Sequence, residues 1–253
     1  MIIDTHAHLM FSEFDGEVDA VIERANEAGV KRIINIGCGI DSSAKAIDMS
    51  GIYDCLFATV GLHPYDSADC SDELMGEWEK VISQNKKIVA VGEIGLDYFK
   101  AKAPKDVQAK AFRMQLDLAV KTGLPVVVHN RCSDEDCFNI LSEYQNLRVV
   151  FHCYGSDLDF AKKVWDAGYI TSFTGIITYP NAENLREVVE AAPLNSFMVE
   201  TDCPYLAPQK NRGKRNEPSF VVDVVEEIAR IKGLSVEDIE RISTENAQRF
   251  FGF

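Results

Sequence analysis

Eight short apolar runs recur along the chain: MIIDTH (1–6), KRIINIG (31–37), LFATVG (56–61), KIVAVG (87–92), PVVVH (125–129), RVVFH (148–152), YITSFTG (169–175) and SFMVET (196–201). Each is rich in Val, Ile or Phe and short enough for a strand, and the near-continuous apolar character marks strands buried on both faces. Between them lie stretches in which apolar residues return every three or four positions, among them GEVDAVIERANEAG (16–29), SDELMGEWEKVISQ (71–84), PKDVQAKAFRMQLDLAVKTG (104–123) and NAENLREVVEAA (181–192). That spacing predicts amphipathic helices. Strands alternating with helices imply right-handed βαβ crossovers and a parallel sheet. Eight such repeats in about 200 residues favour a closed (β/α)8 TIM barrel over an open doubly wound sheet. Two closing helices are expected after the eighth run, one opening on Pro218 and one on Ser235, where Asp238 stands at capping-box spacing. With no linker or low-complexity tract, residues 1–253 read as a single domain.

Composition keeps the chain among globular proteins. Its 253 residues suffice for one large core, and 46% hydrophobic with 26% charged residues lies close to the average for folded, soluble chains. No apolar run approaches the ~18 residues of a membrane span. Met1 leads directly into the first strand without the features of an export signal, so a cytoplasmic protein without membrane association is expected. Seven cysteines, an odd number without CxxC spacing, point to free thiols. A formal net charge of −14 argues against coating duplex DNA through a broad basic surface and leaves room for a local anion site. Nothing in the sequence calls for an obligate protein partner.

The polar interruptions of the pattern carry the chemistry. All five histidines, His6, His8, His63, His129 and His152, stand at or beside the end of an apolar run. Glu93 follows IVAVG and Asp202 follows FMVET. In a (β/α)8 barrel the C-terminal strand ends share the rim that holds the active site, so these groups would converge there. His6 and His8, two apart on a strand, project to the same side and can serve one ion, whereas Cys153 and Cys203 should point away from it. A carboxylate at Glu93 can bridge two cations, with the flanking glycines allowing a close approach. His129 and His152 end consecutive strands and would complete a second position with Glu93. Two divalent ions about 3.5–4 Å apart suit displacement at phosphorus and lower the pKa of bound water. Asp202 is suited both to bind the first ion and to take a proton from the attacking water. Four imidazoles with two carboxylates favour zinc, manganese or cobalt over magnesium.

Substrate contacts are expected around this set. His63 would hydrogen-bond a phosphate or the bound water. Arg131, two residues past His129, would clamp a phosphate bidentately. Tyr98 and Tyr154 would stack on an exposed base or hydrogen-bond a phosphate. Lys214 and Arg215, in the basic stretch 210–215, would hold the strand being cut. Each has a plainer reading as packing, a rim ion pair or solvated loop.

These residues together resemble the TatD deoxyribonucleases. The resemblance lies in Asp4-Thr5-His6-Ala7-His8, Gly61-Leu62-His63-Pro64-Tyr65, Gly92-Glu93-Ile94-Gly95-Leu96-Asp97-Tyr98, His129 with Arg131, His152-Cys153-Tyr154-Gly155, and Glu200-Thr201-Asp202-Cys203-Pro204-Tyr205-Leu206-Ala207-Pro208, with the loop from Arg212 to Pro218 matching the family's usual ending. It implies a metal-dependent hydrolase on a TIM barrel, active on DNA and often a 3′–5′ exonuclease on single-stranded or damaged strands. It also implies two divalent ions, one held by His6, His8, Glu93 and Asp202 and the other by Glu93, His129 and His152. Related amidohydrolases bridge their metals with a carbamylated lysine, and the presence of Glu93 with no lysine in VGEIGLDY points to the TatD branch. Two other functions stay open: hydrolysis of another ester or amide bond on the same centre, such as deacylation of D-aminoacyl-tRNA, and a barrel that holds metal without catalysis.

Overall fold

A computed structural model describes residues 1–253. In chain order its elements are β1 (Ile2–Ala7), α1 (Val18–Glu27), β2 (Val30–Asn35), α2 (Ile40–Ile52), β3 (Leu56–Val60), α3 (Asp72–Gln84), β4 (Ile88–Asp97), α4 (Lys105–Thr122), β5 (Val126–Arg131), α5 (Asp134–Ser142), β6 (Val149–Phe151), α6 (Leu158–Asp166), β7 (Ile170–Phe173), α7 (Glu183–Ala191), β8 (Phe197–Val199), α8 (Val221–Lys232) and α9 (Val236–Phe251). The strands stand in sequence order, β1 to β8, in one eight-stranded sheet. This order and the alternation with helices are those of the (β/α)8 barrel expected from the hydrophobic pattern. No helix is long and apolar enough to cross a membrane, and all seven cysteines carry free thiols.

The chain divides into two compact units, Met1–Asn35 with Cys153–Phe253, and Ile36–His152. In the first, β1 pairs in parallel with β2, and β7 with β8. The chain leaving β8 returns to β1: Ala7 pairs with Cys203, the Asp202 N–H donates to the His6 carbonyl at 2.9 Å, and the His8 N–H donates to the Cys203 carbonyl at 2.9 Å. Ser235 starts α9, its hydroxyl accepting the Asp238 N–H at 3.1 Å, which is half of the expected capping box. The other half is absent, because the Asp238 carboxylate accepts the Ser235 hydroxyl instead.

In the second unit β4 is buried along its whole length. The sequence pattern ends this strand at Gly92, yet it runs on to Asp97. Val91 pairs with Val126 and Ile94 with Val128, so β4 advances three residues where β5 advances two. The extra residue is a β-bulge around Gly92 and Glu93, which breaks the two-residue alternation and hides the rest of the strand from a pattern reading. The flanking glycines are required by this strand pairing. A Cβ on Gly92 would lie 2.8 Å from the Val127 carbonyl oxygen, and one on Gly95 would lie 2.0 Å from that of His129, at a φ of +142°.

Candidate metal centre

In the first unit β1 supplies the His6 imidazole, the residue just after that strand supplies the His8 imidazole, and the segment after β8 supplies a carboxylate. His6 and His8 project to the same side, as their spacing predicts, and their Nε2 atoms lie 3.2 Å apart. Asp202 Oδ1 is 3.6 Å from His6 Nε2 and 3.4 Å from His8 Nε2. Asp202 adopts a φ of +57°, a left-handed conformation costing an L-residue roughly 1–2 kcal/mol. Its neighbours hold it there. The Asp4 carboxylate accepts the Thr201 N–H at 2.9 Å and the Thr201 hydroxyl at 2.6 Å. Asn216 donates to the carbonyls of Thr201 at 2.8 Å and Tyr205 at 2.6 Å. Complete burial pushes the Asp4 carboxyl up to about 7 against the opposing pull of the Thr201 and His6 donors.

In the second unit nitrogen atoms crowd one oxygen. Glu93 Oε1 lies 2.7 Å from His129 Nδ1, 2.8 Å from His152 Nε2 and 3.6 Å from His63 Nε2. Burial alone would raise the Glu93 carboxyl, but His152, His63 and the hydrogen bonds from His129 and His152 outweigh it and hold it well below the carboxylate range. His63 is kept neutral, burial drawing its pKa down to about 4. Its Nδ1 accepts the Tyr65 N–H at 3.1 Å, which leaves the proton on Nε2.

Several side chains that set this geometry are not legible as site residues in the sequence. The fully buried Asp97 meets His129 Nε2 through Oδ2 at 3.2 Å. Gln115 on α4 accepts the Leu62 N–H at 2.7 Å and donates to the Leu62 carbonyl at 3.2 Å, fixing the backbone just before His63. Gln108, two turns earlier, does the same for Asp97 at 2.9 and 3.2 Å. Glu200 accepts the Cys153 N–H at 2.7 Å and the Ser172 hydroxyl at 2.5 Å. The available signal is a polar residue on an otherwise apolar helix face, as at Gln108 and Gln115, because an unpaired amide there would be costly.

The expected substrate contacts divide. Arg131 is exposed, its guanidinium 4.3 Å from the centre of the Phe99 ring. Lys214 is exposed. Tyr98 is committed elsewhere: its hydroxyl donates to Asp136 at 2.9 Å and Lys105 sits 3.8 Å above its ring. Tyr154 is only 5% exposed, with its hydroxyl on the Asp157 carbonyl and its ring stacked near Phe160, so packing replaces the expected base contact. Arg215 donates to the Glu13 carbonyl and, at 2.8 Å, to Glu17, with its guanidinium over Phe14. In the same stretch Lys210 pairs with Asp223 and Arg212 lies over Tyr179. Three of the four cations of the stretch, Lys210, Arg212 and Arg215, thus make intramolecular contacts.

Comparison with known proteins places the chain in a wider group. A family model described as TatD related DNase matches residues 3–252. An uncharacterized metal-dependent hydrolase of Bacillus subtilis is 41% identical over 253 residues, covering 99% of each chain. Another of Mycobacterium tuberculosis, named TatD, is 34% identical over 260 residues, covering 99% of this chain and 98% of its own. A solved TatD homologue of Escherichia coli superposes with a TM-score of 0.94 at 30% identity, over 100% of this chain and 98% of that one. A TatD-family hydrolase of Entamoeba histolytica, at 24% identity and a TM-score of 0.91 over 99% and 97% of the two chains, has the same fold.

Proposed function

Because the chain belongs to the TatD-related DNase family and is a metal-dependent hydrolase of that family, we propose that it cleaves phosphodiester bonds of DNA, shortening single strands 3′ to 5′ with two divalent cations. The observation that supports a metal centre most directly is the convergence of imidazole nitrogens on a single Glu93 oxygen, at 2.7, 2.8 and 3.6 Å. The pairing of His6 and His8 with Asp202 repeats the same chemistry. Imidazole nitrogen with carboxylate oxygen fits zinc, manganese or cobalt, and magnesium less well. On this reading His6, His8 and Asp202 hold one cation and Glu93, His129 and His152 the other, with Glu93 shared as the family resemblance implies.

Bound there, the cations would polarise the phosphoryl group and lower the pKa of the attacking water. The Asp202 carboxylate would then be placed to accept that water's proton. His63, whose proton sits on Nε2, donates to a substrate oxygen, and Arg131 offers its guanidinium to a phosphate. The test is hydrolysis of end-labelled single-stranded DNA by metal-stripped protein, with Mg²⁺, Mn²⁺, Co²⁺ or Zn²⁺ restored and Asp202→Asn in parallel. Stepwise shortening that needs metal and disappears in the variant is the expected result. Turnover of an ester or D-aminoacyl-tRNA with no cleavage of DNA by the loaded protein would assign the same centre to a different bond.

A further inference from the structure

Asp97 accepts more hydrogen bonds than a strand end requires. Its Oδ1 takes the N–H groups of Phe99 at 2.8 Å and Lys100 at 2.6 Å, and Gln108 holds its backbone from both sides. Oδ2 is left facing His129 Nε2 at 3.2 Å. The opposite nitrogen of the same ring, Nδ1, faces Glu93 Oε1 at 2.7 Å. A carboxylate can only accept, so each ring nitrogen carries a hydrogen while both face carboxylates, and when a cation takes the Nδ1 lone pair beside Glu93 the one remaining hydrogen lies on Nε2, against Asp97. A neutral imidazole that keeps its hydrogen on Nε2 offers its lone pair at Nδ1.

We propose that Asp97 is a positioning residue: it fixes the hydrogen of His129 on Nε2, so that the Nδ1 lone pair is the one presented to the cation beside Glu93. The inference rests on the reading that Glu93, His129 and His152 hold a cation, and it holds whichever bond the protein hydrolyses. Asp97→Asn separates this role from a structural one. The asparagine oxygen must stay on the two N–H groups of Phe99 and Lys100, because an amide NH2 there would oppose two donors. The amide NH2 then faces His129 Nε2, which must accept, and the ring hydrogen moves to Nδ1, where Glu93 stabilises it and the cation is opposed. Asp97→Ala imposes no such reversal, although it loses the two backbone contacts.

The two variants should therefore rank oppositely in two measurements. Metal-stripped full-length protein is titrated with Co²⁺ and followed by its visible absorption and by calorimetry, and thermal midpoints are recorded without metal. Asp97→Asn should keep a near-native midpoint and lose about 10–100-fold in affinity for one of two ions, the usual effect of removing such a partner from a metal-binding histidine. Asp97→Ala should melt lower yet bind Co²⁺ more tightly than Asp97→Asn. In Zn²⁺-loaded, ¹⁵N-labelled wild type the His129 side chain should show its hydrogen on Nε2. Equal Co²⁺ affinity in wild type and Asp97→Asn, or weaker binding by the alanine variant than by the asparagine one, overturns the positioning role. A wild-type protein that takes up no ion at Glu93 overturns the metal reading beneath it.

Discussion

Replacing Gln115 by Met tests whether an outer helix sets the position of His63. Gln115 is 1% exposed and makes two bonds to Leu62, itself 1% exposed, at 2.7 and 3.2 Å. Methionine has a similar length and shape but neither accepts well nor donates, so one N–H and one carbonyl lose their partner in a dry setting. Each orphaned group costs about 1–3 kcal/mol. Subtracting about 1 kcal/mol for the added apolar burial gives a net loss near 3 kcal/mol. For a chain of this size that corresponds to a fall of ~6–12 °C in thermal midpoint. Gln115→Glu supplies a control with a defined sign. At neutral pH its carboxylate still accepts the Leu62 N–H but faces the Leu62 carbonyl oxygen to oxygen. Burial raises its folded pKa, so the variant should regain stability as pH falls through that value and the acid again donates. Melting curves of the three proteins at pH 7 and pH 5, with metal-dependent turnover at pH 7, decide the matter. A midpoint for Gln115→Met within about 1 °C of wild type, with unchanged turnover, would refute the assignment.

Arg24 makes a bidentate contact to Glu217 at 2.8 and 2.6 Å. Burial works to raise the Glu217 carboxyl, but Arg24 and Ser219 overcome it and hold it below its ordinary value. This contribution is present above the unfolded pKa near 4.3 and is lost as pH falls through the lower folded value. Because Arg24 is 42% exposed, Arg24→Met should cost only about 1 kcal/mol at pH 7 after solvent screening. A gap in urea midpoints that is undiminished at pH 2.5 would contradict the pairing. Gly95→Ala should prevent stable folding, at a cost above ~4 kcal/mol, since its Cβ would lie 2.0 Å from a carbonyl oxygen. Gly123→Ala, also at positive φ but with nothing within 4 Å of its Cβ, should cost only about 1 kcal/mol. Circular dichroism of the two purified variants compares them, and similar losses would show that the β4–β5 approach is not the constraint.

The strands were legible because each is a run of Val, Ile or Phe, and the side chains proposed as ligands because each interrupts or follows such a run. Glu93 stood out for its chemistry, but its setting did not: a bulge leaves no alternation to read, so the strand beyond Gly92 was invisible. The supporting polar residues were hidden for another reason. Gln108, Gln115 and Asn216 are unremarkable amides in sequence, and only the fold shows which carbonyl or N–H each reaches. The same ignorance of partners hid the contacts that Tyr98 and Arg215 make. Asp136 lies 38 positions from Tyr98, and Glu17 lies 198 from Arg215.

The two glutamines of α4 bear on how this protein can be recombined with its relatives. Barrels of this kind are often treated as strings of exchangeable modules, each a strand with the helix that follows it. Here that division cuts across the wiring. α4 follows β4 and holds Asp97 through Gln108, yet through Gln115 it also holds Leu62, which follows β3. Seven residues of helix, a rise of about 10.5 Å, thus span the ends of two strands. A chimera with a junction between β3 and α4 would join a His63 loop from one parent to an anchor from another, whereas one that keeps Leu56 to Thr122 intact would inherit both.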